Sequence, residues 1–172
     1  MTKTGHGYIK SKMRETGALL AGEMSGHTFF KDRYYGYDDA IYAGCRLIEI
    51  IAKNKIKNEE FKLTDLLKPF DEVYLSDEDR LKCPNEAKKE VLEKLTTLVN
   101  DELFNSKIKD IITIDGLRII FEDGFAMIRQ SNTEPVFTLR FEAKTKEKCL
   151  SYRNALVNLT TKLVEEFIAQ KM

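Results

Sequence analysis

Ile111-Ile112-Thr113-Ile114-Asp115-Gly116-Leu117-Arg118-Ile119-Ile120-Phe121-Glu122-Asp123-Gly124-Phe125-Ala126-Met127-Ile128 is the run that decides the fold. Three apolar segments, residues 111–114, 117–121 and 125–128, are separated by Asp115-Gly116 and Asp123-Gly124. Asp-Gly pairs satisfy the positive backbone angles of tight hairpin turns, so the run predicts three antiparallel strands in a meander. A fourth strand is predicted over residues 136–141, with Phe137, Leu139 and Phe141 on a packed face and Thr138, Arg140 and Glu142 on a wet one. Beyond it, a helix begins near Thr145 and turns Cys149, Tyr152, Leu156, Leu159, Leu163 and Phe167 inward. Before the meander, Pro84 opens a helix with Ala87, Val91, Leu92, Leu95, Leu98, Val99 and Leu103 on its buried side, and residues 72–75 suit a short strand. An antiparallel four-stranded sheet with helices on one face is an α+β arrangement.

The N-terminal part follows different rules. Residues 8–15 form a helix with Ile9 and Met13 on one side, closed by Gly17. Ala18-Leu19-Leu20-Ala21 is a continuous apolar run, the pattern of a strand covered on both faces in an α/β layer. Residues 28–35 suit another strand, and Asp38 or Asp39 caps a helix in which Ala40, Ala43, Gly44, Leu47, Ile48 and Ile51 recur at helical spacing against a sheet. Residues 53–62 are polar and lysine-rich, and a short helical piece at residues 63–67 ends before Pro69. Two domains are expected, at residues 1–60 and 61–172.

Composition narrows the function classes. The 172 residues are 42% hydrophobic and carry 28 Lys plus Arg against 28 Asp plus Glu, so no charge excess favours nucleic acid or an acidic membrane. No apolar stretch approaches the roughly 20 residues that cross a bilayer. Three scattered cysteines, Cys45, Cys83 and Cys149, suit buried thiols in a reducing compartment, and a cytoplasmic location is expected.

Two polar loops carry the chemistry. Gly22-Glu23-Met24-Ser25-Gly26-His27 offers a carboxylate, a hydroxyl and an imidazole between glycines. Glu23 can accept from two neighbouring sugar hydroxyls, Ser25 can hold another, and His27 can bond or shuttle a proton near neutral pH. Arg129-Gln130-Ser131-Asn132-Thr133-Glu134-Pro135 offers a guanidinium, which grips phosphate through paired hydrogen bonds, and then small polar side chains that complete its shell. The competing structural readings are a glycine-flanked strand exit with a solvated Glu23, and a hairpin turn whose Ser, Asn and Thr bond their own backbone. His6 with Glu23 and His27 invites a metal interpretation, but the spacings match no zinc pattern, and no metal ligand is assigned. Asp38-Asp39 suits a helix cap rather than a catalytic pair.

Thr4-Gly5-His6, Gly22-Glu23-Met24-Ser25-Gly26-His27, Tyr37-Asp38-Asp39 and Arg129-Gln130-Ser131-Asn132-Thr133-Glu134-Pro135 resemble, in order and spacing, the bacterial phosphomannomutase/phosphoglucomutase branch of the α-D-phosphohexomutase superfamily. Phosphoglucosamine mutases usually carry Gln in place of Met24 and Gly in place of Asn132. The resemblance implies the latter part of that family's α/β third domain joined to its fourth domain, which is similar in fold to the TATA-binding protein. It implies an isomerase that interconverts hexose 6-phosphate and hexose 1-phosphate through a hexose 1,6-bisphosphate, with a phosphoserine and Mg2+. It places Glu23 and Ser25 on the sugar's 3- and 4-hydroxyls and His6 and His27 in the same cleft, His27 as the proton-handling or orienting group. Arg129, Ser131, Asn132 and Thr133 would hold the phosphate that is not being transferred.

The family's Thr-Ala-Ser-His-Asn-Pro serine motif and Asp-Gly-Asp-Gly-Asp-Arg metal loop do not occur in these residues. The expectation is a C-terminal fragment that binds mannose and glucose phosphates, holds no cofactor with its own residues and is inactive alone. A non-catalytic sugar-phosphate-binding module is the alternative. A nucleic-acid role for the sheet is disfavoured by the Thr138, Arg140 and Glu142 face. With the first strands of the third domain missing, self-association through an open edge at residues 18–21 is expected.

Overall fold

The computed structural model describes residues 1–131 and 133–171. The chain divides into two compact units, Met1–Asp71 and Glu72–Met172. The sequence placed this boundary at residue 60; in the structure residues 61–71, including the 3-10 segment Leu63–Leu67, belong with the first unit.

In the first unit, helix α1 (His6–Thr16) ends on Gly17, whose φ of 69° is the left-handed cap that glycine adopts without a Cβ penalty. Ile9 and Met13 of α1 bury against Phe29, with Ala18 and Ala21 beside them. Strands β1 (Leu20–Gly22) and β2 (Thr28–Phe30) pair antiparallel, with Gly22 opposite Thr28, so residues 23–27 close a hairpin. Two expectations fail here. Strand β1 is not covered on both faces, since Leu19 and Leu20 are exposed, and β2 stops at Phe30 because Phe30 O turns back to accept from Gly36 N. Helix α2 (Ala40–Lys57) forms as predicted but buries no residue, and its Ile41 and Ile48 are 81% and 66% exposed. Its attachment to β2 is polar and aromatic instead: Tyr42 packs edge-on against Phe30, Arg46 pairs with Asp32, and Arg33 forks onto Glu49.

The second unit is built on one antiparallel sheet. Its strands are β3 (Tyr74–Leu75), β4 (Asp79–Lys82), β5 (Ile108–Ile112), β6 (Leu117–Phe121), β7 (Gly124–Gln130) and β8 (Val136–Ala143). The order is β3-β8-β7-β6-β5, with β4 also on β8, which gives six strands where four were expected. Strands β3 and β4 share one edge of β8, and Ser76 bridges the gap between them by exchanging hydrogen bonds with the Phe141 backbone.

The predicted meander is β5 to β8. The two Asp-Gly pairs are not equivalent, however. Gly116 has φ 89°, whereas Gly124 has no positive φ and opposes Ala143 across the β7–β8 ladder. Helix α5 (Lys146–Gln170), capped by Thr145, lays Cys149, Tyr152, Leu156, Leu163 and Phe167 on the sheet. Pro84 precedes α3 (Asn85–Leu98), and the predicted single helix breaks at Val99. Asn100 then caps a short α4 (Asp101–Phe104) by accepting from Leu103 N.

The core joins Leu117, Ile119 and Phe121 of β6, Phe137, Leu139 and Phe141 of β8, and Ala87, Val91 and Leu95 of α3. Burying each large apolar side chain of this kind contributes about 1.5–3 kcal/mol. Cys83 and Cys149 are buried there, which pushes both thiols above their ordinary range and keeps them protonated. Among the described residues no helix is long and apolar enough to cross a membrane.

Candidate functional site

The hairpin and the start of α1 bring four side chains together. Within the 23–27 loop, Glu23 N donates to His27 O at 2.9 Å and Gly26 N donates to Glu23 O at 3.0 Å, a closure that uses the φ of 93° at Gly26. The loop is therefore fixed by its own backbone. Its half-buried Glu23 carboxylate reaches the beginning of α1 and accepts from Gly5 N at 2.9 Å, where negative charge is favoured by the helix dipole. That contact sets His6, the next residue, beside His27, with ring centroids 5.0 Å apart. Ligand atoms of His6, Glu23 and His27 lie within 4.8 Å of one another. Ser25 is exposed on the same turn.

The sequence left Asp38 or Asp39 to cap α2, and the structure settles on Asp39. Asp39 alone caps α2, accepting from Tyr42 N at 2.9 Å, and that backbone bond holds its carboxyl below the usual range. Asp38 turns the other way. Its two oxygens lie 3.0 Å from His6 Nδ1 and 2.9 Å from His27 Nδ1, so one carboxylate orients both imidazoles. The His27 contact is a hydrogen bond, and an ionised carboxylate only accepts, so His27 Nδ1 is its donor, while His6 Nδ1 lies at ion-pair distance from the other oxygen.

In the second unit, Arg129 and Gln130 belong to β7 rather than to the loop after it. Arg129 Nε lies 3.8 Å from Asp115, at the turn between β5 and β6. Ser131 Oγ accepts from Glu134 N at 3.2 Å and from Thr133 N at 3.4 Å, closing the loop on itself, and Thr133 is exposed. Asn132 lies outside the described residues.

Sequence inspection missed Lys88. Its side chain is buried, and Nζ donates to Ser131 O at 2.8 Å and Glu134 O at 2.6 Å. The available signal was its place among Ala87, Val91 and Leu95 on the buried side of α3. Also missed was the company Arg129 keeps. The register sets Arg118 opposite Met127 and Met127 opposite Arg140, with Arg129 opposite Thr138 and Thr138 opposite Arg80. Four arginines thus share the open face of the sheet. Acids interleave with them: Glu78 beside Arg140, and Glu134 paired with Arg80.

Residues 1–70 match the family described as "Phosphoglucomutase/phosphomannomutase, alpha/beta/alpha domain III", and residues 78–159 match "Phosphoglucomutase/phosphomannomutase, C-terminal domain". The chain is 44% identical over 147 residues to a phosphoglucomutase of Neisseria gonorrhoeae, a match covering 85% of this chain and 30% of that protein. It is 41% identical over 148 residues to a phosphomannomutase/phosphoglucomutase of Pseudomonas aeruginosa, covering 86% of this chain and 30% of that one. A crystal structure of a phosphoglucomutase/phosphomannomutase family protein from Burkholderia thailandensis superposes with a TM-score of 0.77 at 39% identity, covering 95% of this chain and 32% of that one. The chain therefore spans about three tenths of the length of the curated relatives it matches.

Proposed function

The chain belongs to the phosphoglucomutase/phosphomannomutase family, and from that premise we propose that it is the sugar- and phosphate-binding part of a hexose-phosphate mutase. In this reading the whole enzyme interconverts hexose 6-phosphate and hexose 1-phosphate through a bisphosphate. One observation carries it: Glu23 and His27 are held on a closed hairpin loop with both imidazoles oriented by Asp38.

Each residue has a task its chemistry allows. The Gly5 amide uses one acceptor position of Glu23, and a carboxylate has about four, which leaves room for two adjacent sugar hydroxyls. Ser25 adds a hydroxyl partner from the same turn. His27, with Nδ1 bound by Asp38, presents Nε2 to exchange or hold a hydroxyl proton. Arg129 grips a phosphate with Ser131, Asn132 and Thr133, and the arginines that share its face of the sheet raise the local positive potential. Rigid contacts to hydroxyls and to one phosphate let a substrate be bound in either orientation, and positioning of this kind supplies much of the rate in phosphoryl transfer. Mg2+ would neutralise charge on the transferred phosphoryl group, but it prefers oxygen ligands, and the imidazoles of His6 and His27 do not suit it. We assign the metal and the phosphoserine to other residues of the whole enzyme.

The purified 172-residue chain is expected to bind glucose 1,6-bisphosphate and mannose 1-phosphate in calorimetry without turning either over in a coupled mutase assay. Arg129→Ala should weaken binding about tenfold or more, the loss of a charge-assisted pair. Equal affinity in both proteins would remove the phosphate assignment, and turnover by the chain alone would remove the division of labour.

Exposed Leu19, Leu20, Ile41 and Ile48 also give the first unit a sticky surface. Multi-angle light scattering of the purified chain should show association through a second copy, reduced by Ile41→Lys with Ile48→Lys. A strict monomer at high concentration overturns this.

A further inference from the structure

We infer that Arg80 is a second phosphate-gripping residue beside Arg129, and that Glu134 holds its guanidinium until phosphate takes the carboxylate's place. The inference rests on the reading of residues 129–135 as a phosphate site. Arg80 stands opposite Thr138 and Thr138 opposite Arg129, so the three form one row across β4, β8 and β7 on the open face of the sheet. Two strand spacings separate the arginines by about 10 Å, a gap that two extended guanidinium side chains close over an anion. Thr138 between them is small, and its hydroxyl can donate to a phosphate oxygen. The row lies near the end of the sheet where residues 131–135 join β7 to β8. Arg80 therefore flanks that loop from the side opposite Arg129.

The partners Arg80 now has are carboxylates. One terminal nitrogen pairs with Glu134, and the other lies 3.9 Å from Glu78, which also approaches Arg140 at 3.4 Å. Glu134 is thus a counterion that the loop itself supplies. Both side chains of the pair are half exposed, at 50% and 51%, and an ion pair so open to water is weak enough to exchange for a more highly charged anion. Phosphate offers that charge together with a two-oxygen edge that matches the guanidinium fork. Release of the carboxylate does not release the loop. Glu134 N still donates to Ser131 Oγ at 3.2 Å, and Glu134 O still accepts from Lys88 Nζ at 2.6 Å. Binding therefore breaks one exposed side-chain contact and leaves the loop's backbone in place.

The experiment is calorimetry of the 172-residue chain with mannose 1-phosphate. Glu134→Gln keeps the side chain's size, removes its charge and should tighten binding about two- to fivefold, the strength of an exposed pair. A pair that merely fixed the loop would give the opposite sign, weaker binding on its loss. Arg80→Ala should weaken binding about tenfold or more. Adding Glu134→Gln to Arg80→Ala should then change nothing, whereas a carboxylate acting only as a nearby negative charge would help on removal with or without Arg80. Urea unfolding of each variant establishes that the second unit stays folded. Unchanged or weaker binding in Glu134→Gln overturns the inference, as does parental affinity in Arg80→Ala or a further gain in the double variant. Arg129→Ala, measured alongside, separates the two levels. Parental affinity there, or no binding by the parent chain, removes the phosphate site and this inference with it, while loss in Arg129→Ala with none in Arg80→Ala removes the second guanidinium alone.

Discussion

Gly124→Ala is expected to unfold most of residues 72–171. A Cβ at this position would lie 1.9 Å from Glu142 O and 2.7 Å from Ala143 Cα, both main-chain atoms of β8. No side-chain rotation relieves such an overlap, so the central β7–β8 ladder has to part. Parting it removes the pairing that sets Ala126 opposite Phe141 and Ile128 opposite Leu139, in the middle of the core. Substitutions that strain a backbone or overpack a core in this way cost about 4 kcal/mol or more, against total stabilities of about 5–15 kcal/mol. Gly44→Ala is the control of opposite sign. It lies in α2 with nothing within 4 Å of its added methyl, and should stabilise the first unit by about 1 kcal/mol. Amide exchange measures both in one experiment: protection in β6, β7 and β8 should collapse in Gly124→Ala, while Gly44→Ala leaves it intact. Parent-like protection of β7 in the Gly124 variant would contradict the close approach.

The same glycine illustrates what was legible in the sequence. Asp123-Gly124 marked the turn correctly, but the reason for glycine is tertiary: β8 presses on it, and no local pattern carries that information. The meander itself was legible because β6 and β8 alternate buried and half-buried residues along their length. Strand β4 was not, since Asp79-Arg80-Leu81-Lys82 lies on an edge with only Leu81 packed against the core, and its Asp79 is spent on a bidentate pair with Arg153 of α5. In the first unit the helices were found by period and cap. The assumption that every apolar stripe is covered failed for α2 and β1, because periodicity reports which face is apolar and not what lies against it.

The site divides in the same way. Residue types and glycines exposed both loops. The approach of His6 to His27, and the choice of Asp38 over Asp39 as their partner, depend on the Gly5–Glu23 contact and on where the chain turns after β2. Neither is written in spacing.

Lys88→Met should cost the second unit about 2–4 kcal/mol and weaken hexose-phosphate binding by about tenfold or more. The substitution keeps the aliphatic stem inside α3's packing and removes only the ammonium. Both acceptors of that ammonium are main-chain oxygens, at Ser131 and Glu134, on either side of the loop that carries the proposed phosphate ligands. Without Nζ these carbonyls lose their buried partner, and they regain hydrogen bonds only if the loop opens toward water. Opening separates Ser131 Oγ from the Glu134 and Thr133 amides, and the loop no longer holds one shape when phosphate arrives. Affinity then falls because binding must first order the loop.

Lys88→Arg should not rescue, since the planar guanidinium needs more width than the point-like ammonium it replaces. Lys89→Met, one residue along α3 but 86% exposed, should leave both stability and binding unchanged. Urea unfolding followed by calorimetry with glucose 1,6-bisphosphate distinguishes the two effects. A Lys88→Met protein that is destabilised yet binds with parental affinity would show that Lys88 supports the core alone and does not shape the loop.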